Sequence, residues 1–284
     1  MIDAEDLKTK VKEKAHTYNL EPQDIMQMYF FERLLYRISI SKYKYNFILK
    51  GGLLLSAIFG DERRTTQDMD TMIKGLPMDI KELTKIITEI INIDCNDDIR
   101  FEVISSRDIR LEDIYGGLRI KLIGYKEHLQ VPLSIDITVG DPITPRELEF
   151  KYKCMFDDAY INIMAFNLET IIAEKFETFI TDNIMNTRNK DFYDLYMILD
   201  KYYDGLDKEQ LVSAIKNTFE RRNAEFNIDK IKSNFEAIKM SERLKHNFEN
   251  FKLKKEYAKS ISYEDIMNKV NIIIELLSKE LVEV

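Results

Sequence analysis

Cysteine, proline, glycine and histidine are all scarce in this chain, and each shortage excludes something. There are two cysteines in 284 residues, Cys95 and Cys154, and neither sits in a C-x-x-C pattern. That argues against a disulfide framework and makes a reducing cytoplasm the expected setting. Five prolines and nine glycines exclude a collagen-like or linker-rich chain and favour long helices with short connections. The three histidines, His16, His128 and His246, are scattered without metal-ligand spacing, so histidine-based metal chemistry is not expected. No uninterrupted apolar run approaches membrane-spanning length, so no membrane partner is expected. The opening MIDAEDLKTKVKEK lacks the apolar core of a signal peptide. No G-x-x-x-x-G-K-[ST] occurs, which disfavours a P-loop NTPase.

What is present reads as an ordinary globular protein, with 45% hydrophobic and 32% charged residues. The net charge of −8 argues against holding nucleic acid by bulk electrostatics. One local exception is the stretch 229–259, where nine Lys and Arg face five acids. Its plain reading is a solvated helix face, and it is also a candidate RNA contact.

The first forty residues read as helix, with Pro22 at a first helical position. A short apolar run, Phe47-Ile48-Leu49, leads into Lys50-Gly51-Gly52 and then a buried helix ending near Gly60. Residues 68–73 read as a strand, and Asp79 is placed to cap a helix through Ile93. Three strand-like runs follow at 99–105, 117–125 and 131–139, then helices at 168–182, 190–202, 207–222 and 263–281. The expected fold class is α+β. A mixed sheet with flanking helices forms the core at 1–150, and a helical C-terminal region occupies 151–284.

Asp68 and Asp70 are two apart on the expected strand, so alternation points both side chains the same way. Two neighbouring carboxylates repel, and a hard cation such as Mg²⁺ keeps both ionised. Asp136, a lone acid in the apolar run Leu133–Ile137, is the candidate third carboxylate. Upstream, Gly51 and Gly52 open a helix, where the backbone can approach a phosphate closely. Ser56 follows within a turn, and Arg63, Arg64, Thr65 and Thr66 could meet phosphate oxygens. In the helical half, Lys175 could neutralise triphosphate charge. Asp191 and Asp194 share a helix face. Asp191 could order Lys175, act as a general base or bind the nucleotide sugar.

The segment FILKGGLLLSAIFGDERRTTQDMD resembles the signature of the DNA polymerase β-like nucleotidyltransferase superfamily. Within it the chain resembles the AbiEii/AbiGii toxin family of abortive-infection and type IV toxin–antitoxin systems. Lys50, Gly51, Gly52, Arg64, Thr66, Asp68 and Asp70 fit that pattern, with Thr66 where Ser is common. The family's E-K and R-x-K-D-x-Y-D-L motifs are matched by Glu174-Lys175 and Arg188–Leu195.

The resemblance implies a nucleotidyltransferase toxin using an NTP and Mg²⁺. Asp68, Asp70 and Asp136 would bind metal, and Gly51, Gly52, Ser56, Arg64 and Thr66 would position the triphosphate. Lys175 and Asp191 would be required for activity alongside Asp68 and Asp70. It also implies an antitoxin encoded alongside and, as in some relatives, the 3′ end of tRNA as acceptor. A protein or small-molecule acceptor, and a non-catalytic NTP-binding module, are the competing readings.

Overall fold

The computed structural model describes residues 2–60, 64–109 and 116–280. The chain forms two compact units: residues 1–141 with 147–166, and residues 142–146 with 167–284.

The first unit begins with helices α1 (Ala4–Tyr18) and α2 (Pro22–Ile40). Asp3 caps α1, and Pro22 opens α2 as expected. There follow β1 (Phe47–Lys50), α3 (Gly51–Phe59), β2 (Met69–Ile73) and α4 (Ile80–Ile91), whose first turn donates to Asp79 Oδ1. The unit is completed by β3 (Arg100–Ile109), β4 (Gly117–Lys126), β5 (Leu129–Val139), β6 (Leu148–Lys153) and β7 (Tyr160–Ala165). Among the described residues these strands form one seven-stranded mixed sheet in the order β3-β4-β5-β2-β1-β7-β6.

The sequence places the boundary near residues 142–167, where Pro142 and Pro145 interrupt the pattern, and divides the chain at 150/151, a point inside β6. Residues 147–166 belong to the first unit, because β7 pairs in parallel with β1 and carries β6 with it. Ile161, Ile163 and Ala165 alternate inward on β7, a period-two signal that Pro142 and Pro145 mask.

One face of the sheet is covered. Leu118, Ile120 and Leu122 of β4, Leu133, Ile135 and Ile137 of β5, and Met69, Thr71 and Ile73 of β2 are all buried there. Helix α2 packs on that side, with the Phe30 ring against Gly124. The apolar alternation thereby fixes the register, since a one-residue slip would turn each of these side chains to the other face. The opposite face carries the polar residues of the same strands.

Arg37 ties α2 to the start of β3. It is 2% exposed, donates to both carboxylate oxygens of Asp97 at 2.8 Å, and reaches the Ile99 carbonyl at 2.9 Å.

The second unit is helical: α5 (Leu168–Thr181), α6 (Asn189–Tyr202), α7 (Lys208–Arg221), α8 (Ile228–Lys239), α9 (Glu242–Lys254) and α10 (Tyr263–Glu280). Side-chain caps at Asn167, Asp207, Asn227 and Ser241 start four of them. The lysine-rich stretch 229–259 lies on α8, α9 and the turn after them. Several of its cations pair with acids close in sequence, as Lys230 with Glu225 and Lys252 with Glu249. No described helix is long and apolar enough to cross a membrane.

Asp97→Ala removes the carboxylate that compensates a buried guanidinium, and such losses typically cost about 3 kcal/mol. The variant is expected to lose stability of that order in urea-induced unfolding.

Candidate active site

Strand register assembles the polar row. On one side of β2, Lys50 of β1 is the cross-strand partner of Asp70. On its other side, Asp136 of β5 is the partner of Asp70 in parallel pairing. Arg119 of β4 is in turn opposite Asp136. Directly opposed residues share a face, so Lys50, Asp70, Asp136 and Arg119 form one row across four strands. Asp68 stands just before β2. One carboxylate oxygen from each of Asp68, Asp70 and Asp136 lies within 4.8 Å of the others.

Three acids in that space repel, and the charges at the ends of the row oppose this. Arg119 Nε donates to Asp136 Oδ1 at 2.6 Å, Nη2 donates to Asp136 Oδ2, and Asp68 Oδ2 lies 4.0 Å away. Lys50 Nζ pairs with Asp141 Oδ2 at 2.8 Å and lies over the Phe166 ring. Asp70 is left the least compensated. Burial pushes its carboxyl up to about 6, and the Asp68 and Asp136 charges push the same way. Lys50 and the Gly52 N–H pull against them.

The glycines are spatial requirements of this centre. Gly51 has φ +66°, and a Cβ there would fall 2.0 Å from Asp70 Oδ2. A Cβ on Gly52 would meet Thr66 Oγ1 at 2.6 Å and Arg64 Nη1 at 2.9 Å. The first turn of α3 is thus wedged against the acid pair and the segment before it, and Lys50 at its N-cap supplies no side-chain cap. The Thr66 hydroxyl donates to Asp68, with its backbone oxygen and its Oδ1 both at 3.1 Å, so it orients the first acid of the pair. Arg64 is 4% exposed and donates to the Thr65 carbonyl. Arg63 lies outside the described residues.

Ser56 departs from expectation. It lies one turn beyond Gly52 on the inward side of α3 and is fully buried, with its Oγ inaccessible and without a hydrogen-bond partner among the described residues. It lacks the accessible hydroxyl that a triphosphate contact requires.

In the helical unit, Lys175 of α5 bridges two acids of α6. Its Nζ lies 2.5 Å from Asp191 Oδ1 and 2.8 Å from Asp194 Oδ2. The three-residue spacing of Asp191 and Asp194 presents both to one cation. Asp194 is fully buried and Asp191 partly open, so Asp194 anchors the lysine from below.

Sequence reasoning missed Arg119 and the anchoring role of Asp194. Arg119 and Lys121 both occupy the polar phase between Leu118, Ile120 and Leu122, so the alternation alone does not single out Arg119.

The donor set fits a hard divalent cation in part. Asp68 and Asp70 offer oxygen ligands, and the Asp70 carboxyl, raised first by burial and then by the Asp68 charge, would be relieved by a cation there. Asp136 has both oxygens engaged by Arg119, so it joins such a site only by sharing with, or releasing, the guanidinium.

The family model described as "Nucleotidyl transferase AbiEii toxin, Type IV TA system" matches residues 33–269. Two crystal structures from Helicobacter pylori are similar. One, described as a nucleotidyltransferase, has a TM-score of 0.50 and 14% identity, covering 93% of this chain and 98% of that one. The other, JHP933, has a TM-score of 0.48 and 14% identity, covering 93% and 95%. The first supports the fold alone. Among curated proteins, none matches the sequence.

Two outcomes are expected from the site's packing and charge. A carboxyl whose folded pKa lies above its unfolded value adds stability only while protonated, and that contribution is lost as pH rises through about 6. Asp70→Asn should therefore raise the melting temperature of metal-free protein at pH 7. The gain should shrink toward nothing near pH 4, and added Mg²⁺ should stabilise the natural chain more than the variant. Gly52→Ala forces Thr66 and Arg64 apart, and overpacking of this kind costs about 1–3 kcal/mol, readable in the same melts.

Proposed function

This chain belongs to the nucleotidyl transferase AbiEii toxin family of type IV toxin–antitoxin systems, and from that membership we propose that it transfers a nucleotide from an NTP, with Mg²⁺, to the 3′ end of tRNA. The observation that carries the site assignment is the convergence of Asp68, Asp70 and Asp136 beside the Gly51-Gly52 turn.

In this reading the β- and γ-phosphates lie on the first turn of α3. There the glycines let the backbone come close and the helix start favours anions. Arg64 lies beside that turn as a charge partner for the phosphates. Thr66 holds Asp68 in orientation. Asp68 and Asp70 would hold the divalent ion, with Asp136 completing the set. When bound, that ion neutralises charge on the reacting phosphate and on the departing pyrophosphate. The hydroxyl oxygen of the acceptor attacks the α-phosphorus, its proton leaves, and the bond to pyrophosphate breaks. Catalysis of such transfers rests on positioning and charge neutralisation. The family resemblance also makes Lys175 and Asp191 required residues, and within the helical unit Asp194 holds the lysine in place. The antitoxin is the protein partner implied by the system to which the family belongs.

The test is incubation with each of the four labelled NTPs, together with separate total-tRNA and protein pools. Label should enter tRNA, disappear when divalent metal is chelated, and fall at least a hundredfold for Asp68→Ala. Label confined to protein overturns the tRNA acceptor. Undiminished transfer by Asp68→Ala overturns the site.

A further inference from the structure

We propose that a cavity beside the start of β2, neighbouring the carboxylates, is the subsite for the terminal nucleoside of the acceptor, a proposal that rests on the nucleotidyl-transfer reading above. The cavity has a volume of about 550 Å³ and lies wholly within the first unit, in the size range of small-ligand sites.

Its position follows from register. Lys121 pairs with Ser134 and Ile123 with Pro132, continuing by two-residue steps the row in which Arg119 pairs with Asp136. All four of these residues line the cavity, together with Gln67, the neighbour of Asp68, and with Leu122 and Leu133 of the alternate phase, so the cavity sits where the start of α2 meets β5. Beyond them, the start of α2 closes the side with Gln23, Asp24 and Gln27. Gln27 is held there by donating to the Pro132 carbonyl at 2.9 Å.

The lining chemistry fits a nucleobase better than a phosphate. Three primary amides, Gln23, Gln27 and Gln67, each carry both donor and acceptor groups, which suits the mixed edge of a base. Ile104, Ile123 and Pro132 supply apolar surface for its faces. The acids Glu21 and Asp24 accept from exocyclic amines and repel anions. Lys121 is exposed beside them and can meet ribose oxygens or the phosphate that precedes the terminal nucleoside.

Geometry decides between the two nucleosides of the reaction. In an in-line transfer the attacking and leaving oxygens lie on opposite sides of the phosphorus. The Gly51-Gly52 turn takes the leaving pyrophosphate on the β1 side of Asp70. The cavity lies on the other side, beyond Asp136, where the attacking hydroxyl must arrive. The incoming NTP is therefore read elsewhere, and this cavity reads the acceptor.

The test uses the natural chain. Periodate converts the terminal ribose diol of total tRNA to a dialdehyde. A nearby lysine amine condenses with it, losing water, and cyanoborohydride reduces the imine to a stable adduct that peptide mass spectrometry locates. The expected adduct is on Lys121, with periodate-oxidised NTPs failing to label that residue. In parallel, Lys121→Glu should raise the KM for tRNA about tenfold and leave the Kd for NTP within twofold. Oxidised tRNA labelling only other lysines, or an unchanged KM for tRNA, overturns the subsite. Labelling of Lys121 by oxidised NTP reassigns the cavity to the incoming nucleotide and overturns it equally. Failure of intact tRNA to accept label from any NTP is a separate result: it overturns the transfer reading beneath the subsite.

Discussion

The structure depends on one row of charge laid across four strands. Lys50, Asp70, Asp136 and Arg119 are consecutive cross-strand partners, so the sign runs plus, minus, minus, plus. The two acids at the centre repel, and the outer cations limit that repulsion without cancelling it. Nothing local to β2 or β5 would hold such a pair together. The register holds it, and the register is enforced from the other side of the sheet, where α2 packs on an apolar surface that tolerates no slip. The hydrophobic core and the reactive centre are thus two faces of one pairing pattern, and stability spent on the second is drawn from the first.

The glycine turn is the other fixed element. At Gly51 a side chain is excluded twice, by the positive φ and by the Asp70 carboxylate that occupies the place of a Cβ. At Gly52 the exclusion is by Thr66 and Arg64 alone. The helix start is brought against the acids because both positions are bare. Thr66, packed against the Gly52 position, then orients Asp68 through its hydroxyl.

Much of this centre was legible in the chain. The D-x-D spacing, the lone acid in an apolar strand and the Gly-Gly turn each point to a local geometry that the structure contains. What sequence could not supply was pairing between distant segments. That β2 lies between β5 and β1, and that Arg119 falls opposite Asp136, are facts of topology with no short-range signal. Strands β6 and β7 were hidden for a different reason: most of β6 is exposed, so it carries little apolar pattern. Ser56 misled because helical spacing from Gly52 fixes which side of α3 it is on, and leaves open whether that side is solvent or core. Asp194 shares a helix face with Asp191 by spacing, and only tertiary packing buries it beneath Lys175.

The Arg119–Asp136 pair sets how the three acids divide their work. A guanidinium bound through both carboxylate oxygens satisfies the acid in the absence of any other cation. Asp136 therefore begins charge-compensated, whereas Asp70 does not. A divalent ion entering the site gains most from Asp70, whose desolvated charge it relieves, together with Asp68. It gains less from Asp136, because it must compete there with a fixed cation two strands from Asp70. The guanidinium in turn lies within 4.0 Å of Asp68, so a small shift exchanges one acid for another. Unequal compensation would thereby make Asp68 and Asp70 the principal ligands of such an ion and Asp136 a conditional one.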